Sequence, residues 1–330
     1  MKIMVLDVAA NKGGALTILK MYYENAVKDI ENEWIFVVST PDLKENENLR
    51  VVRFPWVKKS WFHRLYFDVF IAKKIAKQYN IEEVISLQNT IIVNLNIKQT
   101  LYLHQPLPFV EKRYRLTENL KFWVYQNIIS KIIFKSIKKA DKVIVQTEWM
   151  KKACLKKVTT DPGKFEIKQP ALAINVKKYY KQGSNNDKIF FYPAGSSEYK
   201  NHKIIVEATQ LLVKREIKNF RAIFTLKGNE EKHIKNIYRL VKENNLPIDF
   251  IGPISLEEVY DYYSKSILLF PSYIETFGLP LLEAKMHNSP ILASDCEFSH
   301  EIFDGYDNAK FFDPYDSDYL ASLMIEILKY

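Results

Sequence analysis

The sequence has few cysteines and no long apolar run, and each lack excludes a class of protein. Cys154 and Cys296 are its two cysteines in 330 residues and lie far apart, so they suggest no disulfide framework and favour a reducing cytoplasm. No apolar run approaches the roughly eighteen residues that a membrane span requires. Lys2 is followed at once by a strand-like segment. We therefore expect neither a transmembrane helix nor a signal peptide.

The charge is unevenly distributed. The chain carries a formal net charge of +9. Residues 1–180 hold 31 basic and 17 acidic side chains, a net of +14, whereas residues 181–330 hold 17 and 22, a net of −5. A basic half attracts phosphate groups, whether of nucleic acid, anionic lipid or a lipid-linked pyrophosphate. The asymmetry also predicts a domain boundary near the middle.

Short apolar runs alternate with helical segments along the whole chain, a pattern typical of α/β proteins. The length suits two cores. Residues 182–187 are polar and rich in turn formers, so we predict one domain over residues 1–178 and a second over residues 179–330.

The most informative stretch is residues 270–295. An apolar run ends at Pro271, a loop carries Glu275, and a helix is predicted from about Pro280. Glu283 stands eight positions after Glu275, so both carboxylates can face one crevice at the carboxyl end of a strand. The helix start at residues 277–279 provides N–H groups for an anion. Taken singly, each glutamate is more often a solvated surface charge.

As a whole, this string resembles the E-x7-E signature of the retaining glycosyltransferases of family four, which have the GT-B fold. One departure is Asn288-Ser289, where the family often has glycine before the proline. The resemblance is strong over residues 185–315 and loose over residues 1–170. The matching residues are Ser272, Glu275, Phe277, Gly278, Leu279, Pro280, Glu283, Ala284 and Pro290.

The resemblance implies an α/β fold of two doubly wound, Rossmann-like domains facing a central cleft. The acceptor would bind to the first domain and the nucleotide sugar mainly to the second. Family members usually end with a helix that crosses back to the first domain. Because the sequence stops at Tyr330, in what looks like the penultimate helix, we expect either that the sequence is truncated or that the protein lacks this cross-over helix.

The resemblance also implies roles in the second half. Glu275 would hydrogen-bond the donor sugar as a catalytic residue, and Glu283 would bind the ribose. Lys200 matches the family lysine that grips the donor diphosphate, while Ser196 stands about where the family has an arginine. A hydroxyl can still bind a phosphate oxygen, although one cation is missing. Gly228 would flank the nucleotide, and Phe277, Gly278 and Leu279 would also contact the donor.

In the first half, Gly13 and Gly14 lie between a predicted strand and a predicted helix. Such a loop holds a phosphate or is simply a tight turn, and the resemblance favours contact with the donor diphosphate. His104 ends a strand before a proline-rich loop. A single histidine is more often structural, but many family members carry one here, close to the transferred sugar. Both readings of His104 stay open at this point.

Two helical segments, at about residues 60–77 and 118–138, mix aromatic, aliphatic and basic residues. This composition fits helices that lie on an anionic membrane surface. Helices packed on the core with a basic outer face give the same pattern. We therefore predict the membrane as a partner, with the protein peripheral on the inner face of the cell membrane, and leave the alternative open.

Asp316 and Asp318 form a D-x-D sequence, which is a metal signature in a different transferase fold. They precede the last predicted helix, where aspartate and serine commonly act as caps. We therefore expect no metal site and no cofactor, since the nucleotide sugar is a substrate.

The resemblance therefore implies a retaining, metal-independent glycosyltransferase. It would move a sugar from a UDP- or GDP-sugar to a lipid-linked saccharide acceptor in O-antigen or capsule synthesis. One alternative is another GT-B enzyme, such as a nucleotide-sugar epimerase. A second is a basic nucleic-acid binder, but the basic residues join no recognised binding motif and the other half is acidic. We expect no nucleic-acid partner. The donor sugar, the base, the linkage and the oligomeric state are not readable from the sequence.

Overall fold

The computed structural model describes residues 1–11, 13–170, 176–181 and 188–329. The chain divides into two compact units, Met1–Leu172 and Ala173–Tyr330. Lys177 and Lys178 form ion pairs with Glu257 at 2.8 Å and Asp261 at 3.0 Å, so these residues attach to the second unit. The boundary that we predicted falls a few residues after this division. The polar stretch at 182–187 lies outside the described residues.

The described part of the first unit contains one sheet of seven parallel strands. Its order along the sheet is β3-β2-β1-β4-β5-β6-β7. The strands are β1 (Lys2–Asp7), β2 (Glu33–Val38), β3 (Leu49–Arg53), β4 (Glu83–Ser86), β5 (Lys98–Tyr102), β6 (Lys142–Val145) and β7 (Phe165–Ile167).

Helices cover both faces of this sheet. On one face Val5 packs in a cluster with Leu19, and on the other Met4 packs with Ile75. Burial on both faces explains why the strands are almost continuously apolar. The helices are α1 (Gly13–Lys28), α2 (Trp61–Tyr66), α3 (Ala72–Gln78), α4 (Leu120–Val124), α5 (Ser130–Lys139) and α6 (Glu148–Lys157).

The two long helices that we predicted in the first half are present, but each contains a π-helical turn. Residues Phe67–Ile71 join α2 to α3, and Tyr125–Ile129 join α4 to α5. The helices start at polar caps: Ser60 Oγ accepts the N–H of His63 at 3.4 Å, and Asn119 Oδ1 accepts that of Phe122 at 3.1 Å. Within the described ranges, no helix is both long enough and apolar enough to cross a membrane.

The second unit holds a parallel sheet of six strands in its described residues, in the order β10-β9-β8-β11-β12-β13. The strands are β8 (Lys188–Tyr192), β9 (Phe220–Phe224), β10 (Ile248–Phe250), β11 (Ile267–Phe270), β12 (Ile291–Ser294) and β13 (Ala309–Phe312). The helices are α7 (His202–Lys214), α8 (Lys232–Glu243), α9 (Leu256–Tyr263), α10 (Leu279–Met286), α11 (Glu297–Phe303) and α12 (Ser317–Leu328).

Two helices of the second unit begin at caps that short sequence motifs explain. Ser255 and Glu258 form a capping box at the start of α9. Asp316 Oδ1 accepts the N–H of Tyr319 at 2.8 Å and so caps α12. This is the capping role that we preferred to metal binding for the first aspartate of the D-x-D sequence.

Both units are doubly wound, as predicted. The strand order reverses between β1 and β4 in the first sheet and between β8 and β11 in the second. Ligands of such sheets bind at the carboxyl ends of the strands beside this reversal. In the second unit the reversal places the loop at 193–201 next to the loop at 271–278. These loops contain the predicted catalytic residue Glu275 and four of the nine predicted donor-binding residues, Ser196, Lys200, Phe277 and Gly278.

Gly228 is required by close packing. Its φ is +87°, and a Cβ atom built there would lie 2.3 Å from a ring carbon of Tyr238. We expect Gly228→Ala to lower the free energy of unfolding by about 2–4 kcal/mol, through backbone strain and overpacking together. Denaturant unfolding monitored by circular dichroism measures this loss.

Gly305→Ala is the matched control for that substitution. Gly305 also has a positive φ, +70°, but a Cβ atom there meets nothing within 4 Å. Its substitution therefore carries only the backbone cost, about 1 kcal/mol. Equal losses in the two variants would contradict the packing role of Gly228.

Candidate functional site

The candidate site in the second unit is built around an ion pair between Lys200 and Glu275. Lys200 lies in the loop after β8 and Glu275 in the loop after β11. Their side chains are only 18% and 15% exposed. Ser272 Oγ donates to the same carboxylate at 2.7 Å. The sequence predicted a role for each of these two residues, but not that they pair with each other.

Hydrogen bonds hold the two loops against each other. The backbone N–H of Tyr273, in the second loop, donates to the carbonyl of Tyr199, in the first, at 3.2 Å. The Tyr192 hydroxyl donates to the Lys200 carbonyl at 2.7 Å. Asn201 Nδ2 donates to the carbonyl of Pro314 at 2.7 Å. Lys200 is therefore held by its backbone as well as by its charge.

Lys200 is a cation at neutral pH. Burial lowers the pKa of its ammonium group, but the negative charge of Glu275 and the neighbouring Tyr199 outweigh burial and raise it overall. The ammonium nitrogen also lies 5.6 Å from the ring centre of Tyr199 and 5.9 Å from that of Phe270. Aromatic faces at these distances attract a cation. This positive charge is thus shielded from water and presented at the carboxyl edge of the sheet.

Ser196 is the residue that replaces the family arginine. Its Oγ lies 3.3 Å from Glu231 Oε1, as a hydrogen-bond donor. The hydroxyl therefore has a carboxylate partner in this structure, and contact with a phosphate stays a prediction. The same holds for Gly228. Its N–H donates to Glu230 Oε2 at 3.0 Å, and the close packing of Tyr238 explains why this residue is glycine. Contact of Gly228 with the nucleotide stays a prediction.

Glu283 is buried on α10. The Tyr263 hydroxyl donates to its Oε2 at 3.0 Å. Burial raises the pKa of Glu283 to about 7, and the hydrogen bond from Tyr263 offsets part of that rise. Glu275 and Glu283, which we predicted to face one crevice, thus have separate partners. Sequence reasoning missed Tyr263, since nothing in its helix pattern signals a carboxylate partner.

The start of α10 has the predicted form. Gly278 precedes the helix with a φ of 89°, Leu279 is the first helical residue, and Pro280 lies in the first turn. Phe277 is buried beneath this turn. Anion binding by this helix start stays a prediction.

In the first unit, Gly13 begins α1 and Gly14 follows it, with no atom within 4 Å of a Cβ built at either. His104 follows β5, and its backbone N–H donates to Asn89 Oδ1 at 2.8 Å. Burial lowers the pKa of His104 to about 4, so its imidazole is neutral. Sequence reasoning missed Asp7, a buried carboxylate at the end of β1. A charged residue that ends an apolar strand was the available signal.

The pKa of Glu283 predicts a pH-dependent stability. A carboxyl with a native pKa of about 7 and an unfolded value of 4.5 binds more protons in the native state between these values. Stability contributed by this group is therefore present below pH 4.5 and lost as the pH rises towards 7. We expect Glu283→Gln to remove this loss, raising stability at pH 8 by up to about 3 kcal/mol relative to the wild type.

Thermal melting between pH 4 and pH 8 measures this effect. Glu297→Gln, at the exposed start of α11, controls for the loss of one acidic group. Parallel pH profiles for the wild type and Glu283→Gln would contradict the prediction.

The second unit is similar to a known protein family. Residues 177–330 match the family model of glycosyl transferases group 1. The O-antigen chain mannosyltransferase RfbU of Salmonella typhimurium is 22% identical over 217 residues, which cover 63% of this chain and 59% of that protein. A probable sucrose-phosphate synthase 2 of Craterostigma plantagineum is 32% identical over 73 residues, 22% of this chain and 7% of that protein. The chain thus matches less than two thirds of the length of these curated relatives.

Solved structures match nearly the whole chain. A sucrose-phosphate synthase from Thermosynechococcus elongatus has a TM-score of 0.74 and 18% identity, covering 99% of this chain and 89% of that one. HepE from Anabaena, in complex with UDP-glucose, has a TM-score of 0.72 and 14% identity, covering 99% and 90%. WaaG, a glycosyltransferase involved in lipopolysaccharide biosynthesis, has a TM-score of 0.73 and 14% identity, covering 100% and 91%.

At these identities the likeness establishes the fold alone. It agrees with the two parallel, doubly wound sheets described above, and the family match agrees with the E-x7-E resemblance. The chain therefore has the GT-B fold, and residues 177–330 match the family model of the group 1 glycosyl transferases.

Proposed function

We propose that this protein is a retaining, metal-independent glycosyltransferase in cell-surface polysaccharide synthesis. It takes a sugar from a UDP- or GDP-sugar and adds it to a saccharide acceptor. The observation that carries the proposal is the shielded Lys200–Glu275 pair at the strand-order reversal of the second sheet. Support comes from the relative named as an O-antigen chain mannosyltransferase and from the neighbour solved with UDP-glucose.

Glycosyl transfer requires that the nucleotide diphosphate leave with its developing charge stabilised. Lys200 provides a fixed cation for that purpose, together with backbone N–H groups at the start of α10. In the structure this cation is neutralised by Glu275. An arriving diphosphate competes with the carboxylate for Lys200. Once displaced from Lys200, Glu275 accepts hydrogen bonds from hydroxyls of the donor sugar. The same exchange of partners thus forms the contact of Lys200 with the diphosphate and that of Glu275 with the sugar.

Retention of configuration needs no protein general base in this scheme. The acceptor hydroxyl attacks the anomeric carbon on the face from which the diphosphate departs, the bond to the diphosphate breaks, and the departing phosphate takes the proton. His104 is neutral because burial lowers its pKa to about 4. A neutral imidazole can hydrogen-bond a sugar hydroxyl without adding positive charge.

Opposite effects are expected from the two members of the ion pair. Lys200→Met removes the cation and should weaken binding of the cognate nucleoside diphosphate by about 1.5–3 kcal/mol, roughly ten- to a hundredfold in Kd. Glu275→Gln removes the competing charge, so the diphosphate should bind as tightly as before or more tightly, while sugar transfer falls. Calorimetric titration with UDP, GDP, ADP and dTDP in the presence of EDTA measures the binding.

Lys203→Met is the matched control. Lys203 lies in the first turn of α7 and forms a surface ion pair with Glu207 at 2.9 Å. Its removal should leave nucleotide binding unchanged. Undiminished diphosphate binding by Lys200→Met, or no binding of any nucleotide to the wild type, would refute the proposed site.

We further propose that the acceptor is lipid-linked and that the protein is peripheral on the inner face of the cell membrane. The helix from Trp61 to Gln78 exposes six large apolar side chains, and the ring of Trp61 lies 6.0 Å from that of Tyr125 on the second long helix. Monomeric proteins rarely expose such patches without a function. We call this set the apolar face: Trp61, Phe62, Leu65, Tyr66, Val69, Phe70, Leu120, Ile128 and Ile132.

Basic residues accompany the apolar face. Lys74 on the first helix and Lys121, Lys131 and Lys135 on the second are all exposed. A helix with large apolar side chains among lysines is suited to lie in the headgroup region of an anionic bilayer. Such a position brings the protein to an acceptor that is anchored in the same membrane.

Liposome sedimentation tests this attachment. We expect binding to vesicles that contain anionic lipid, and weaker binding to neutral vesicles or at high salt, because the lysine contribution is screened. The double variant Phe62→Ser and Phe70→Ser should lose most binding. Ile30→Ser is the control, since Ile30 is 89% exposed but lies outside the apolar face. Equal sedimentation of the two variants would rule out this surface.

A further inference from the structure

Tyr263 is a fully buried tyrosine whose hydroxyl pairs with a carboxylate. It is the last residue of α9, none of its surface is exposed, and its hydroxyl donates to Glu283 Oε2 on α10 at 3.0 Å. Most side-chain hydrogen bonds in proteins go to backbone groups or water. Here a buried hydroxyl bonds to a buried acid, and no cation in the described part of the chain lowers the pKa of that acid. The pair therefore needs an explanation beyond packing.

The Tyr263 ring is fixed on every side that the structure describes. It packs edge-on against Phe191, with 5.9 Å between the ring centres, and lies 5.6 Å from the imidazole of His287. Its backbone carbonyl accepts a hydrogen bond from Ser289 Oγ at 2.6 Å. The hydroxyl is therefore held at one point, and it fixes the position of the carboxylate that it contacts.

Glu283 has a second oxygen that stays open. Tyr263 bonds to Oε2, and no group of the described residues donates to Oε1. Oε1 is not one of the buried polar atoms that lack a partner, so solvent reaches it. An ionised carboxylate accepts hydrogen bonds and donates none. The Tyr263 hydroxyl thus anchors one oxygen and leaves the other presented as an acceptor.

The two helices are held together without this hydroxyl. The backbone N–H of Tyr180 donates to the carbonyl of His287, directly after α10, at 2.7 Å. The next N–H, that of Lys181, donates to the carbonyl of Ser264, directly after α9, at 3.0 Å. One short backbone segment thus bonds to the ends of both helices. Loss of the Tyr263 hydroxyl alone should therefore leave the fold intact.

Burial and the Tyr263 hydroxyl act in opposite directions on Glu283. Burial raises its pKa to about 7, and the hydrogen bond lowers it. Tyr260, the other titratable group of α9 that faces Glu283, is neutral because burial and this carboxylate raise its pKa to about 12. His287 Nδ1 donates to the backbone carbonyl of Glu283 at 2.7 Å, not to the carboxylate. Within the described residues, Tyr263 is the side chain that favours the ionised acid.

We infer that Tyr263 is a positioning residue whose hydroxyl holds Glu283 ionised, with Oε1 open to accept a hydrogen bond from a hydroxyl group of a bound nucleotide. Nucleotide binding then needs the carboxylate form of Glu283 and weakens as the pH falls. That the ligand is a donor nucleotide rests on the proposed function. The hold of Tyr263 on Glu283 does not.

Carbon-13 NMR of protein labelled at the glutamate carboxyl carbons follows Glu283 directly. Its signal is the one that disappears in Glu283→Gln, and in the wild type it should titrate near pH 7. Tyr263→Phe removes the hydrogen bond at nearly constant shape. We expect it to raise the titration midpoint by about one to two pH units.

Tyr262→Phe is the matched control for the NMR titration. Tyr262 is the preceding residue of α9, and its ring stacks on Phe191 with 4.5 Å between the ring centres. The substitution removes a hydroxyl from the same helix and keeps this stacking. The midpoint of Glu283 should stay at its wild-type value.

Calorimetric titration with UDP and GDP between pH 5.5 and pH 9.5 measures the effect on binding. At pH 7.5, Tyr263→Phe should weaken binding of the cognate nucleotide roughly five- to twentyfold, because less of Glu283 is ionised. At pH 9.5 binding should return towards the wild-type value. The phosphates titrate alike in every sample, so Glu283→Gln gives the background, on which Tyr263→Phe should have no pH-dependent effect.

The outcomes distinguish this inference from the proposed function. Equal midpoints of Glu283 in the wild type and Tyr263→Phe overturn the inference. Binding that Tyr263→Phe weakens equally at every pH, or failure of this variant to fold, shows a structural role and overturns it too. Identical pH profiles of the wild type and Glu283→Gln do the same. A raised midpoint with no nucleotide bound by the wild type supports the hold of Tyr263 on Glu283 and refutes the proposed function.

Discussion

The parallel order of the strands decides where every candidate side chain lies. In both sheets the order reverses once, between β1 and β4 and between β8 and β11, and the loops that follow these strands meet at the same edge. Lys200 and Glu275 stand 75 positions apart, yet this topology brings them into an ion pair. The same rule aligns Asp7, Ser39, Gln88 and His104 in the first unit. The two sheets present different chemistry at equivalent edges.

That difference lies in how buried charge is balanced. In the second unit a shielded cation, Lys200, pairs with one carboxylate, Glu275. In the first unit Asp7 is held by two backbone N–H groups and has no cation bonded to it among the described residues. One edge thus presents a cation paired with a carboxylate, and the other a carboxylate held by backbone N–H groups.

Much of this could be read from the sequence, because the signals are local. The apolar strands, the proline in the first turn of α10 and the capping box of α9 depend on neighbours within a few residues. The π-helical turns at Phe67–Ile71 and Tyr125–Ile129 could not be predicted, since the apolar pattern of a long helix hides one extra residue. The hydrogen bond from Tyr263 to Glu283 joins two helices and has no local signal.

By itself, the sequence determined the α/β class and the E-x7-E stretch, because periodicity and turn residues act over short distances. The two doubly wound sheets were implied by the family resemblance of that stretch. Only the tertiary structure decided which charges pair and which polar atoms stay unpaired. Lys200 forms an ion pair with Glu275, Glu283 accepts a hydrogen bond from Tyr263, and the amide of Gln88 donates to Asp68. These choices depend on burial and on residues far apart in the chain. Burial in turn raises the pKa of Asp7 and Glu283 and lowers that of His104.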